Sequence, residues 1–212
     1  MSTAVEIIDV SKKYGYLWAL KPLSIKIDSG ESVAVLGPNG AGKTTLMKIM
    51  ATHIFPSSGE VKIYGKNAFK NGENLRKRIG FVAHESFLYD ELTVEENLRF
   101  YGRFFPANQD FYRIIEFLNL ESWYEVPVKQ LSYGLRKRAD IVRALIHDPD
   151  LVLLDELFAG LDEETRSLLV DYFKNQGEKT LLVSSHSVDW AKRVCRRGVF
   201  LDKGKLVRDI QF

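Results

Sequence analysis

The stretch Ser32-Val-Ala-Val-Leu-Gly-Pro-Asn-Gly-Ala-Gly-Lys-Thr44 decides the fold of this chain. It begins as a short apolar run, passes through a glycine-rich loop of the pattern G-x-x-x-x-G-K-[ST], and leads into the helix-like residues 44–51. Such glycines let backbone N–H groups turn towards phosphate oxygens at the positive end of a helix. The strand–loop–helix order therefore favours a phosphate-binding loop over the alternative, a tight glycine turn with a structural role only.

Strand-like and helix-like segments alternate on both sides of this loop. Residues 5–10 and 23–27 have the branched, partly alternating composition of strands, with a turn signal after the second. Later in the chain, the aliphatic runs 151–154 and 180–184 enclose a helical stretch at 163–175, as a parallel sheet buried on both faces requires. These patterns predict an α/β fold with a mostly parallel sheet and an antiparallel β layer near the N-terminus.

The chain of 212 residues has the length of one compact domain. From about residue 93 to residue 150, apolar positions follow helical spacing and strand signals are few. We therefore predict a single domain over residues 1–212, with a helical subdomain at about 87–150 inserted in its core.

Charge and cysteine content exclude several classes of protein. The chain has 30 Lys and Arg against 28 Asp and Glu, a net charge of +2, which is far from the basic excess of nucleic-acid-binding chains. Cys195 is the single cysteine, which excludes an intrachain disulfide, and no Cys/His cluster has zinc-binding spacing. Because the sequence shows neither an apolar run long enough to span a bilayer nor a secretory leader, we expect a cytoplasmic protein.

The segment Leu151-Val-Leu-Leu-Asp-Glu156 places two adjacent carboxylates at the end of an aliphatic strand. At the edge of a phosphate-binding sheet, Asp155 would lie near Mg²⁺ and Glu156 near the water that attacks the phosphate. The alternative is a pair of solvated acidic residues, which a fully buried strand gives little reason to expect. Together with the phosphate-binding loop, the pair indicates nucleotide hydrolysis.

Four further segments carry a resemblance to the nucleotide-binding subunits of ATP-binding cassette (ABC) transporters. Lys12-Lys-Tyr-Gly15 precedes the phosphate-binding loop, and Leu131-Ser-Tyr-Gly-Leu135 stands where that family has its LSGGQ signature. Phe158-Ala-Gly-Leu-Asp162 and Ser184-Ser-His186 then follow Glu156 in the family's order. The resemblance spans almost the whole chain and implies the RecA-like P-loop NTPase fold. It also implies an ATPase that forms ADP and phosphate and is coupled to transmembrane transport.

The resemblance assigns roles to individual residues. It implies that Glu156 is the general base, with Lys43 and His186 as further catalytic groups. It implies that Tyr14 stacks on adenine, although Tyr16 or Trp18 could do the same. The complete set expected to bind ATP is Tyr14, Gly37, Pro38, Asn39, Gly40, Ala41, Gly42, Lys43, Thr44, Thr45, Ser132 and Gly134. The residues expected to hold Mg²⁺ are Thr44, Asp155 and His84.

The chain departs from the family pattern at several positions. His84 stands where the family has a glutamine that touches Mg²⁺ and the attacking water, and an imidazole is a less natural Mg²⁺ ligand than an amide oxygen. Tyr133 and Leu135 replace a glycine and the terminal glutamine of the signature, and Leu157 replaces a proline. Ser132 and Gly134, which face the phosphate in the family, remain. We therefore expect a working site.

The resemblance also implies partners. It predicts a separate transmembrane permease, a homodimer or a heterodimer with a second ABC subunit, no nucleic acid, and a peripheral position on the inner face of the cell membrane. The aromatic and aliphatic residues at 87–89 and 100–105 could form the groove that receives the permease, or the core of the helical subdomain. The alternative function is a soluble ABC-type ATPase that acts on a macromolecular assembly instead of in transport.

Overall fold

The computed structural model of the protein describes residues 2–70, 72–105, 111–175 and 177–212. Its strands are Thr3–Tyr14 (β1), Leu17–Asp28 (β2), Ser32–Leu36 (β3), Ser58–Ile63 (β4), Lys66–Asn67 (β5), Ile79–Val82 (β6), Leu151–Leu154 (β7), Thr180–Ser185 (β8), Arg197–Asp202 (β9) and Lys205–Gln211 (β10). Its helices are Lys43–Met50 (α1), Gly72–Arg76 (α2), Val94–Gly102 (α3), Tyr112–Phe117 (α4), Tyr133–Leu145 (α5), Glu163–Lys174 (α6) and Val188–Lys192 (α7), with 3₁₀ turns at Glu121–Trp123 and Val128–Gln130.

A six-stranded sheet forms the centre of the fold, in the order β10-β9-β3-β8-β7-β6. Strands β9, β3, β8, β7 and β6 are parallel, and β10 returns antiparallel to β9. The predicted mostly parallel sheet is therefore confirmed. Because β3, β8 and β7 are neighbours, the segments that follow their carboxyl ends meet at one edge of the sheet, where ligands bind in folds of this kind.

An antiparallel sheet of four strands, in the order β2-β1-β4-β5, lies against one face of the central sheet. Its longest pair is the β1–β2 hairpin, in which Ile7 pairs with Ile25 and Tyr14 pairs with Leu17 next to the turn. The antiparallel layer predicted near the N-terminus is thereby confirmed. The hairpin places Tyr14 at the end of the layer, beside the edge where the phosphate-binding loop begins.

Apolar side chains pack on both faces of the central sheet. Along β3, Ala34 and Leu36 belong to the core on the helical side, whereas Val33 and Val35 belong to the core on the side of the antiparallel sheet. Cys195 is buried in the helical-side core, and burial raises the pKa of its thiol to about 12. Its thiol therefore stays protonated at neutral pH and packs as an apolar group.

Between β6 and β7, the elements that the structure describes are helices α3, α4 and α5 and two 3₁₀ turns, joined by loops. Helix α3 begins with a capping box, in which Thr93 Oγ1 accepts the backbone N–H of Glu96 at 3.1 Å and Glu96 Oε2 accepts that of Thr93 at 2.9 Å. Residues 106–110 of the predicted helical region lie outside the described residues. No helix in the described part of the chain is long and apolar enough to cross a membrane.

The residues considered for a permease groove divide between core and surface. Leu88 is buried, whereas Tyr89 and Phe104 are exposed. The ring of Phe100 lies between them, with its centroid 5.3 Å from that of Tyr89 and 5.4 Å from that of Phe104. We call Tyr89, Phe100 and Phe104 the aromatic patch. One of these side chains thus belongs to the core, whereas the aromatic patch lies at the surface.

Candidate functional site

The phosphate-binding loop leaves the carboxyl end of β3 and leads directly into helix α1. Gly37, Gly40 and Gly42 have φ angles of 150°, 77° and 106°, a region that favours glycine. At Gly37, a Cβ atom would lie 2.2 Å from the carbonyl oxygen of Leu201 in β9, so no larger residue fits without a shift of the backbone. The course of the loop therefore depends on the glycines that the sequence pattern singles out.

Lys43, the first residue of α1, is buried with its ammonium group inside the loop. Its Nζ donates to the carbonyl oxygens of Gly37 at 2.9 Å and Pro38 at 3.2 Å. The same Nζ lies 3.1 Å from Oε1 of Glu156. An ammonium group in this position stabilises negative charge at the centre of the loop.

Asp155 and Glu156 follow the carboxyl end of β7 and are held by Ser184 of the neighbouring strand β8. The Ser184 hydroxyl donates to Oδ1 of Asp155 at 2.6 Å and accepts the backbone N–H of Glu156 at 2.8 Å. Asp155 is fully buried, and its Oδ2 has no hydrogen-bond partner among the described residues. One oxygen of a buried carboxylate is therefore left for a further ligand.

Glu156 adopts a backbone conformation that few side-chain-bearing residues adopt, with φ at 49°. Its carboxylate lies between two other groups, because Oε1 contacts Lys43 and Oε2 lies 3.2 Å from Nδ1 of His186. The His186 side chain is 59% exposed, whereas that of Glu156 is 14% exposed. Strain of this kind, which costs about 1–3 kcal/mol, is found where the surrounding contacts fix a functional group in place.

An open cleft of about 640 Å³ joins these elements. Its lining residues are Tyr14, Ala19, Asn39, Gly40, Ala41, Gly42, Lys43, Thr44, Thr45, His84, Glu156, Ala159 and His186. The structure thus brings together most of the residues expected at one nucleotide. Gly37, Pro38, Ser132 and Gly134 do not line this cleft, and Asp155 lies buried behind it.

The signature segment forms the start of helix α5, away from the cleft of its own chain. Ser132 is the N-cap, and its Oγ accepts the backbone N–H of Leu135 at 3.3 Å. Tyr133, which replaces a signature glycine, packs its ring on Gly160, where a Cβ atom would lie 3.1 Å from Tyr133 Cε1. Ser132 and Tyr133 are exposed, so the positive end of α5 faces solvent.

Oxygen donors for a cation are present at the site. The free Oδ2 of Asp155 and the hydroxyl of Thr44 are of the type that Mg²⁺ prefers, whereas the His84 imidazole is not. No group of three or more His, Cys, Asp and Glu side chains that could hold a metal ion occurs in residues 2–70, 72–105, 111–175 and 177–212. Two protein oxygens suit Mg²⁺, which commonly takes its remaining ligands from water and bound phosphates.

Sequence reasoning missed two residues at this site. Ser184 appears in the sequence only as the start of Ser-Ser-His, and nothing local indicates that its hydroxyl joins Asp155 to Glu156. Lys137 belongs to the basic run 136–138 on α5, yet it is buried. The available signal was its spacing: it lies four residues before Ile141 and therefore on the same, buried face of α5.

The chain is similar to known proteins along nearly its whole length. A family model described as "ABC transporter" matches residues 20–159. The "Nod factor export ATP-binding protein I" of Rhizobium etli is 34% identical over 214 residues, which cover 98% of this chain and 68% of that protein. A solved ATP-binding subunit of an ABC transporter has a TM-score of 0.89 and 28% identity, and covers 99% of this chain and 90% of its own. A dimeric ATP-binding cassette in a post-hydrolysis state, bound to ADP and Pi, has a TM-score of 0.86 and 27% identity, with 98% of each chain covered.

Proposed function

This chain belongs to the ABC transporter family as an ATP-binding subunit, and from that premise we propose that two copies close over ATP and drive a separate membrane permease by hydrolysing it. One observation carries the proposal. Lys43 of the phosphate-binding loop, the Glu156 carboxylate and the His186 imidazole line a single cleft and contact one another in series. The cleft therefore combines a cation for phosphate, a base for water and a group that holds the base.

ATP would lie in the cleft with its phosphates along residues 37–44 and its adenine on Tyr14. Tyr14 is half exposed and lines the cleft, whereas Tyr16 and Trp18 of the same hairpin do not. This difference supports Tyr14 over its two neighbours as the aromatic surface for adenine.

Thr44 and Asp155 would hold Mg²⁺, which supplies positive charge to the phosphate oxygens when it is bound. The support is the donor chemistry, since Asp155 keeps a buried oxygen without a hydrogen-bond partner among the described residues. His84 lines the cleft and is the third candidate, although its imidazole suits Mg²⁺ less well.

Glu156 would act as the general base of hydrolysis. Its carboxylate takes a proton from water as the water oxygen attacks the γ-phosphorus, and the bond to the bridging oxygen breaks to leave ADP and inorganic phosphate. Lys43 stabilises the charge that spreads over the phosphate oxygens. His186 holds the carboxylate through its 3.2 Å contact, and Ser184 holds the backbone of Glu156.

A second copy of the chain would complete each site. Ser132 and Gly134 do not line the cleft of their own chain, and the start of α5 that carries them faces solvent. The positive end of a helix favours an anion, so the α5 terminus of one copy suits the γ-phosphate bound to the other. Two ATP sites then form at one symmetric dimer interface.

The permease would bind at the aromatic patch, on the inner face of the membrane. Tyr89 is 51% exposed and lies five residues after His84. Its backbone N–H donates to Asn97 Oδ1 at 2.7 Å, which fixes its backbone to helix α3. A permease bound there would contact the segment that carries His84 and so reach the cleft. Exposed aromatic clusters of this kind are typical of protein interfaces.

Purification of the tagged chain from gently solubilised native membranes tests this proposal. We expect a multi-span membrane protein to co-purify in stoichiometric amount and to change the ATPase rate. Tyr89→Glu should reduce that co-purification, whereas Tyr16→Glu should not. Tyr16 is the matched control, since it is also an exposed tyrosine but lies on the β1–β2 hairpin, outside the aromatic patch. Recovery of ribosomes, DNA or an assembly scaffold in place of a membrane protein would contradict the transport function and favour the soluble alternative.

A further inference from the structure

Lys137 is a buried cation that forms no ion pair with a carboxylate in the described part of the chain. Its side chain is 5% exposed, and its Nζ donates to the carbonyl oxygens of Ala83 at 3.1 Å and Asp155 at 3.4 Å. Burial lowers the pKa of Lys137, while the charges of Asp140, Asp155 and Glu156 act in the opposite direction. A charged group is costly to bury, so its presence here needs a reason beyond packing.

The two carbonyl groups belong to the residues that immediately precede His84 and Glu156. Strands β6 and β7 pair up to Val82 and Leu154, and the backbone N–H of Asp155 then donates to the carbonyl oxygen of Val82 at 2.8 Å. Beyond that bond the strand ends continue as the His84 and Glu156 segments. Lys137 binds the carbonyl oxygens of Ala83 and Asp155 at once. It therefore joins the two segments beyond the last backbone hydrogen bond between β6 and β7.

The same side chain also connects these segments to the signature helix. Lys137 lies on α5 five residues after the N-cap Ser132, or about 7 Å along the helix axis. Its neighbours act elsewhere, because Arg136 donates to the carbonyl oxygen of Val128 and contacts Asp90, and Arg138 donates to Thr165 Oγ1. Within the basic run, Lys137 alone binds the strand ends.

We propose that Lys137 is a positioning residue that ties helix α5 to the ends of β6 and β7 and thereby sets where His84 and Glu156 lie. The inference rests on the proposed function, since it concerns the same hydrolytic site. The γ-phosphate of ATP bound to the partner copy would contact the start of α5. Its effect would then reach Glu156 through helix α5 and the Lys137 side chain. Hydrolysis would depend on Lys137 although Lys137 touches neither ATP nor water.

Steady-state ATPase measurements on three variants test the inference. Lys137→Met removes the hydrogen bonds with little change in volume, and Lys137→Arg keeps a cation and its donors beside a cleft of about 690 Å³ that leaves room for the guanidinium. Arg136→Met is the matched control on the same helix. We expect Lys137→Met to lower kcat about 10- to 100-fold with KM nearly unchanged, the range that a small misplacement of a reacting group produces. We expect Lys137→Arg to recover most of kcat, and Arg136→Met to keep it.

Backbone hydrogen exchange without nucleotide gives a second readout that does not require ATPase activity. Lys137→Met should speed exchange in the segments that follow Ala83 and Asp155, and should leave helix α1 and the melting temperature nearly unchanged. The inference is overturned if exchange in those segments stays as in the natural chain, or if kcat of Lys137→Met stays within about twofold of it. A general loss of melting temperature that Lys137→Arg does not restore would also overturn it, because the role would then be structural. If the natural chain itself hydrolyses no ATP, the proposed function fails, and the exchange result alone decides the role of Lys137.

Discussion

Replacement of Glu156 by glutamine is expected to slow ATP hydrolysis by about 10²–10⁴-fold, the usual contribution of a general base, while ATP still binds. The amide keeps the size of the side chain but cannot take a proton from water. The phosphate-binding loop is untouched by the change, so the dissociation constant for a fluorescent ATP analogue should stay close to that of the natural chain. ATP that binds without being hydrolysed should hold two copies together, and sedimentation should show a dimer that requires ATP.

Glu164→Gln provides the control for this variant. Glu164 is exposed in the first turn of α6 and has no contact with the cleft, so the same chemical change there should leave hydrolysis as it is. If Glu156→Gln hydrolysed ATP at the natural rate, another group would have to activate the water. A dimer that forms equally well without ATP would show that the nucleotide is not needed to form the dimer interface.

Replacement of Lys43 by alanine is expected to abolish hydrolysis by removing ATP binding itself. The Lys43 ammonium is buried inside the loop and touches the carbonyl oxygens of Gly37 and Pro38, so its loss removes the cation that would meet the phosphates. The change also removes the cation that lies 3.1 Å from the Glu156 carboxylate. The unpaired negative charge of Glu156 would then repel phosphate. Titration with the fluorescent ATP analogue should show no saturation where the natural chain saturates.

Lys48→Ala separates this effect from the loss of any lysine on α1. Lys48 lies on the same helix five residues further on and does not line the nucleotide cleft, so its removal should leave ATP affinity nearly unchanged. Thermal unfolding of both variants should show that each is folded. Equal affinity of the Lys43→Ala variant and the natural chain for ATP would place the nucleotide somewhere other than this loop.

Much of the fold could be predicted because its signals are local. The aliphatic run 151–154 is a strand buried on both faces, and four consecutive apolar residues are what a strand inside a parallel sheet requires. The phosphate-binding loop is equally local, since its glycines, its lysine and the start of α1 follow one another in the chain. Asp155 and Glu156 could be placed near the loop because they directly follow an aliphatic strand, and the structure shows this strand parallel to β3 with only β8 between them.

The rest of the site depends on contacts between distant segments that no local pattern records. The packing of Tyr133 on Gly160 joins the signature to the 158–162 segment, and its sequence signal was only a departure from the family pattern. Ser184 lies 29 positions from Asp155, and Lys137 lies 54 positions from Ala83. A serine in Ser-Ser-His and a lysine in a basic run read as ordinary polar residues until the fold brings their partners to them.

Hydrolysis by a mixture of two inactive variants tests the composite site most directly. Lys43→Ala removes the phosphate-binding lysine, and Gly134→Asp places a negative charge at the start of α5, where it would repel the phosphate of the other copy. A Cβ at Gly134 meets its nearest atom, Thr165 Oγ1, at an ordinary 3.4 Å, and acidic residues are favoured at this end of a helix. Because Asp162 Oδ2 lies 3.7 Å from that Cβ, thermal unfolding of the variant is the control for its folding. Each variant alone should be inactive. Mixed in equal amounts, half of the dimers pair the two variants and hold one intact site, so up to about a quarter of the natural activity should return. A mixture as inactive as its components, or a Gly134→Asp chain that hydrolyses ATP at the natural rate, would contradict a site shared between two copies.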